Sequence, residues 1–73
     1  MKQMATYCKV GVVKEVWLEN GKVYIIHSPA FTESAQRRQQ ELMEEGYDVI
    51  RLNTGIKEEA EWADELLGLC LDP

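Results

Sequence analysis

The chain has 73 residues and a formal net charge of −5, from 13 acidic against 8 basic side chains. That balance excludes a general DNA- or RNA-binding surface, which needs clustered Lys and Arg against phosphate, and it disfavours docking on anionic lipid. With 45% apolar and 29% charged residues the composition excludes a disordered chain, and the length fits a single small domain over 1–73. No apolar run approaches the roughly 20 residues that span a bilayer. Nothing apolar follows Met1-Lys2-Gln3-Met4, so no signal peptide and a cytoplasmic location are expected.

Residues 6–18 read as a first strand, bent at Gly11, where an interior glycine often marks a bulge. Asn20-Gly21 then sits between β-branched and aromatic runs, the pattern of a two-residue type I′ hairpin. That turn pairs Leu18 with Val23, Trp17 with Tyr24, Val16 with Ile25, Glu15 with Ile26 and Lys14 with His27. Alternation sorts Val12, Val16, Leu18, Val23 and Ile25 onto one face, and Trp17, Tyr24 and Ile26 onto the other. Residues 23–28 form the second strand, and 6–12 overhang it without a partner.

Ser28-Pro29 ends that strand. Residues 32–45 predict a helix with Thr32 or Pro29 near its start and Gly46 at its stop. Its apolar stripe, Phe31, Ala35, Leu42 and Met43, is interrupted by Arg38 and Gln39, so most of it faces water. Arg37 and Arg38 are expected to pair locally with Glu41. Tyr47–Leu52 is a third strand and Asn53-Thr54-Gly55 a turn. Residues 56–70 form a second helix with the stripe Ile56, Ala60, Ala63, Leu66, Leu67 and Cys70. The helix between strands two and three makes them parallel. The expected fold is therefore α+β with an α/β-like unit: ββαβα, a three-stranded mixed sheet in order 1-2-3, an N-terminal hairpin and two helices.

Two regions invite function. In open α/β sheets ligands sit beyond the carboxyl ends of the strands, here the rim of Ser28, Thr32, Ser34, Asn53 and Thr54. Two helix N-termini point at this rim, which favours a small anion or a nucleotide, although Glu33 opposes one. The plain alternative is that Thr32 and Asn53 or Thr54 cap their helices. The other region is the uncovered aromatic face of Trp17, Tyr24 and Ile26, with Trp62 beside it. Such residues are enriched at binding hot spots, and an intramolecular cover by Trp62 is the alternative.

Other residues carry less. His27 has no catalytic partner in the sequence and reads as a strand-end residue. Glu58, Glu61 and Glu65 share a helix face that could hold a hard cation, though the same acids, with Glu59 and Asp64, fit a solvated face. Cys8 and Cys70 have no metal-ligand spacing. The compartment rule predicts two reduced thiols, and a disulfide joining the ends is the alternative.

The run Val23-Tyr24-Ile25-Ile26-His27-Ser28-Pro29-Ala30-Phe31, followed by a helix and Gly46-Tyr47-Asp48-Val49, resembles the opening βαβ of nucleoside deoxyribosyltransferases. The likeness covers about 30 residues. It implies a ligand at this loop. The family's catalytic carboxylate lies further along its longer fold, and no residue here maps onto it. The same run also resembles glutaredoxin-like openings, where the loop carries CxxC; Phe31 and Ser34 occupy those positions here, so redox chemistry is not implied.

These readings predict a small non-catalytic interaction module or inhibitor that pairs with itself as a homodimer or with a basic protein. The first alternative is an anion- or nucleotide-binding domain at the strand-end rim. The second is an acidic mimic of nucleic acid. No cofactor, no metal, no direct nucleic-acid contact and no membrane partner are expected.

Overall fold

The reversal at Glu19-Asn20-Gly21 sets the sheet. In the computed structural model, which describes residues 5–9, 11 and 13–70, Gly21 N–H donates to Leu18 O at 3.1 Å. Gly21 holds φ +87°, while Asn20 stays at negative φ. The Asn20 side chain instead accepts Lys22 N–H at 3.0 Å. This is a type I turn closed by a left-handed glycine, a three-residue loop, and not the two-residue type I′ turn expected. One extra loop residue moves the register by one. Trp17 faces Val23, Val16 faces Tyr24, Glu15 faces Ile25 and Lys14 faces Ile26. The expected pairings, with Trp17 opposite Tyr24 and Lys14 opposite His27, are thereby corrected.

The first strand also differs from its sequence reading. It is two strands, β1 (Ala5–Lys9) and β2 (Lys14–Leu18). The chain doubles back around the exposed Gly11, and β1 pairs antiparallel with β2, with a bulge between Ala5 and Tyr7. The overhang thus finds its partner in its own continuation. Next come β3 (Lys22–His27), a 3₁₀ turn (Pro29–Phe31), α1 (Thr32–Glu44), β4 (Asp48–Asn53) and α2 (Lys57–Cys70). The sheet has four strands in order β1-β2-β3-β4, one more than expected. It is mixed, because β4 runs parallel to β3.

Each face of the sheet carries one helix. Val23, Ile25 and Val49 pack under Ala35 and Leu42 of α1, with Val13, Trp17 and Tyr47 at the margin. Val16, Leu18, Tyr24, Ile26 and Leu52 pack under Ala63 and Leu66 of α2, with Cys8, Ile50 and Leu67 beside them. The shift in register therefore exchanged the β3 residues between layers, and both layers are covered. Val12 lies outside the described residues. Burying a side chain such as Ile25 or Leu42 stabilises the fold by about 1.5–3 kcal/mol.

α1 ends in a Schellman motif: Gly46 N–H donates to Met43 O at 3.0 Å and Tyr47 N–H to Leu42 O at 3.2 Å. Gly46 supplies the left-handed residue that this motif needs, at φ +100°. The two polar residues interrupting the α1 stripe are what dock it. Arg38 Nε donates to Glu15 Oε2 at 2.7 Å, and Gln39 Nε2 donates to Val49 O at 3.2 Å. Arg38 also reaches Glu41 at 3.3 Å, the local pairing expected from sequence.

Glu15 is only 2% exposed. Burial pushes its carboxyl up, but hydrogen bonds from Arg38 and Trp17, with the charges of Arg38 and Lys9, outweigh that and hold it below the ordinary carboxylate value. Arg38 is correspondingly raised, chiefly by its bond to Glu15.

α2 packs against β1 as well as β2 and β4. Cys8 of β1 is disulfide-bonded, which corrects the expectation of reduced thiols. The sequence contains one other cysteine, Cys70. Among the described residues, no helix is long and apolar enough to cross a membrane.

Candidate functional site

Parallel pairing brings the carboxyl ends of β3 and β4 to one rim, where His27 stands beside Asn53. Thr54 N–H donates to His27 O at 2.8 Å and extends the ladder by one step. The two loops leaving this rim are in close contact. A Cβ on Gly55 would lie 2.5 Å from Pro29 Cγ, so the approach admits only glycine without a shift. The loops leave between them and β2 a half-open cleft of about 190 Å³, lined by Lys14, Ile26, His27, Ser28, Phe31 and Thr54.

The five rim residues expected from sequence separate here. Ser28 and Thr54 line the cleft. Thr32 does not cap α1: its hydroxyl donates to Pro29 O at 2.9 Å. Asn53 does not cap α2 either. Its Oδ1 accepts Gly55 N–H at 2.8 Å, and its own N–H donates to Glu59 Oε1 at 2.8 Å. Ser34 is exposed on α1 and does not line the cleft.

Sequence reasoning missed Lys14, Ile26 and Phe31 as lining residues. The register explains the first two. A lysine at the start of β2, placed opposite Ile26, shares the side chain's face and stands at the rim. Reading Glu19-Asn20-Gly21 as a three-residue loop would have put it there.

His27 is 2% exposed, and its ring is fixed from both sides. Nδ1 lies 2.8 Å from Ser28 O, and Nε2 lies 3.1 Å from Arg51 Nη1. A carbonyl can only accept and a guanidinium can only donate. The network therefore assigns the neutral Nδ1–H tautomer, with Nε2 as acceptor. Arg51 continues to Gln39 Oε1 at 3.4 Å, so the rim is tied to α1 through side chains.

Lys14 lines the cleft, while the Glu59 carboxylate reaches the Asn53 N–H beside it. Among the described residues the ion pairs are Arg38–Glu15 and Arg38–Glu41, and neither Lys14 nor Arg51 takes part in one. Nor does any carboxylate among the described residues line the cleft. In a chain of net charge −5, Lys14 thus lines this cleft without an ion pair among the described residues.

The expected aromatic face does not form. Tyr24 and Ile26 are buried under α2. Trp17 lies on the opposite side of the sheet and meets Tyr47 edge-on at 4.8 Å. Trp62 does cover Tyr24, at 5.4 Å between ring centres, and stays 42% exposed. Glu58, Glu61 and Glu65 do not converge on a metal: no described group of three or more acidic, His or Cys side chains could hold one.

Comparison with family models, with curated proteins and with solved structures finds no match to this chain.

Proposed function

We propose that this protein is a small binding domain that holds an organic anion at the strand-end rim. The observation that carries this reading is Lys14, an ammonium with no carboxylate partner among the described residues. It lines a cleft together with Ser28 and Thr54. Lys14 supplies up to three N–H donors, each hydroxyl supplies one, and Ile26 and Phe31 give apolar walls. The resemblance to nucleoside deoxyribosyltransferases, which implies a ligand at this loop, points the same way. Both His27 ring nitrogens are engaged, by Ser28 O and Arg51, and not by a hydroxyl at the cleft, so binding without catalysis fits best.

A thermal-shift series at low ionic strength tests it. A bound anion stabilises in proportion to RT ln(1 + [L]/Kd), about 2.7 kcal/mol at a hundredfold excess over Kd. Stabilisation by small organic anions that disappears in Lys14→Met supports the reading. Equal stabilisation of the variant counts against it.

A second reading rests on Trp62. This side chain is half-exposed, with Leu69 two helical turns on and 39% exposed, and Glu58, Glu59, Glu61 and Glu65 surround Trp62 on α2. Such a surface suits a second copy of the chain or a basic protein partner. Light scattering over a concentration series, repeated with Trp62→Ser, separates the two. A monomer at all concentrations removes the homodimer. As for compartment, the Cys8 disulfide fits an oxidising environment better than the cytoplasm.

A further inference from the structure

Part of the rim's backbone is committed to bonds within the protein. Helix N-termini bind phosphate through free backbone N–H groups. In the segments that lead into the two helices, four N–H groups have acceptors within the protein. Phe31 N–H donates to Ser28 O at 3.0 Å, Thr54 N–H to His27 O at 2.8 Å, and Ile56 N–H to Asn53 O at 3.0 Å. Gly55 N–H is taken by Asn53 Oδ1 at 2.8 Å. His27 donates to Ser28 O and accepts from Arg51, so its ring is occupied too. The lining residues that can donate to an anion include Lys14, Ser28 and Thr54, one ammonium and two hydroxyl-bearing side chains. That set can meet both oxygens of a carboxylate.

The lining adds apolar contact. The half-open cleft of about 190 Å³ seats a compact body. Two of the walls, Ile26 and Phe31, are apolar, and Phe31 is 40% exposed at the mouth, open to stacking.

We propose that the cleft takes a compact monocarboxylate with an aromatic or branched apolar body of about ten non-hydrogen atoms, in preference to phosphates and nucleotides. The carboxylate meets Lys14 with Ser28 or Thr54, and the apolar body lies against Ile26 and Phe31. This inference rests on the anion-binding reading above and specifies its ligand.

Amide chemical-shift titration of the full chain decides it, with five probes: phenylacetate, its neutral amide, acetate, inorganic phosphate and adenosine monophosphate. The expected result is saturable shifts at Lys14, His27, Ser28 and Thr54 with phenylacetate, and affinity for the amide weaker by about tenfold. In Lys14→Met, which keeps the aliphatic stem, that preference collapses to about twofold or less. Phe31→Ala weakens phenylacetate but leaves acetate unchanged, and unaltered dispersion of the remaining amides shows that either variant is folded. If phosphate or the nucleotide shifts the same amides and displaces phenylacetate, the ligand class is overturned while anion binding at the rim stands. If no probe shifts the rim, or all shifts fall elsewhere, both readings are overturned.

Discussion

Glu15 and Arg38 form the ion pair on which α1 docks, and the pair sets how the fold responds to acid. Glu15 has a folded pKa below the ordinary value of 4.5. Its stabilising contribution is therefore complete above that value and is lost as pH falls through the lower folded one. Urea unfolding between about pH 6 and pH 3 should show stability dropping below the carboxylate range, and Glu15→Gln should flatten that drop. Removing Arg38 alone strands a buried carboxylate. Arg38→Met is expected to cost about 3 kcal/mol, less if water reaches Glu15 past the shortened side chain. The double variant Glu15→Met with Arg38→Met should recover most of this loss, because apolar packing replaces a buried ion pair without penalty in many cores. A double variant as unstable as Arg38→Met would show that shape, and not charge, sets the cost. The sequence showed Arg38 and its neighbour Glu41 but not Glu15, which lies 23 positions away and meets Arg38 only once α1 lies across the sheet.

At the scale of elements, glycines act here in two ways. Gly21 allows the left-handed step that closes the hairpin, and nothing lies within 4 Å of a Cβ built there. Gly21→Ala should therefore cost only about 1 kcal/mol in denaturant unfolding, through backbone strain, and leave the rim intact. Gly55 has no unusual backbone requirement but meets the Pro29 ring at 2.5 Å. Gly55→Ala should push the two rim loops apart, and the amides of Ser28, Phe31 and Thr54 should shift while those of the hairpin do not. Helices, strand type and the α1 stop were legible because each follows from local pattern: the apolar stripe of α2, the Val49-Ile50 run, Gly46. The hairpin register was not, because Asn-Gly supports both a two-residue and a three-residue loop. Either places apolar residues on both faces, so alternation alone does not choose.

The whole molecule is a four-stranded sheet with one helix on each face, built from a chain short enough that such a core is barely sufficient. An extra constraint is then valuable, and the Cys8 disulfide supplies one. Cys8→Ser, or reduction of the native protein, is expected to lower stability by about 2–4 kcal/mol in thermal or urea unfolding. No loss under reducing conditions would show that the bond contributes little. The interaction reading drawn from sequence depended on a bare aromatic layer. At this scale that layer divides: Trp17 joins Tyr47 under α1, and Tyr24 joins Trp62 under α2. The candidate cleft is likewise a product of assembly. Lys14, Ser28 and Thr54 come from three separate segments, and parallel pairing of β3 with β4 brings the last two to one end of the sheet.

By itself the sequence determined the class of fold, the two helices, the parallel βαβ unit and the rim to which its loops run, because these depend on periodicity, turn chemistry and the direction a crossover imposes. The tertiary structure alone decided which side chains share a layer, that β1 folds back onto β2, and that Lys14 stands at the cleft without an ion pair among the described residues. The reason is that one residue more or less in a loop costs little locally, yet it inverts the facing of a strand, and only packing against both helices selects between the two outcomes.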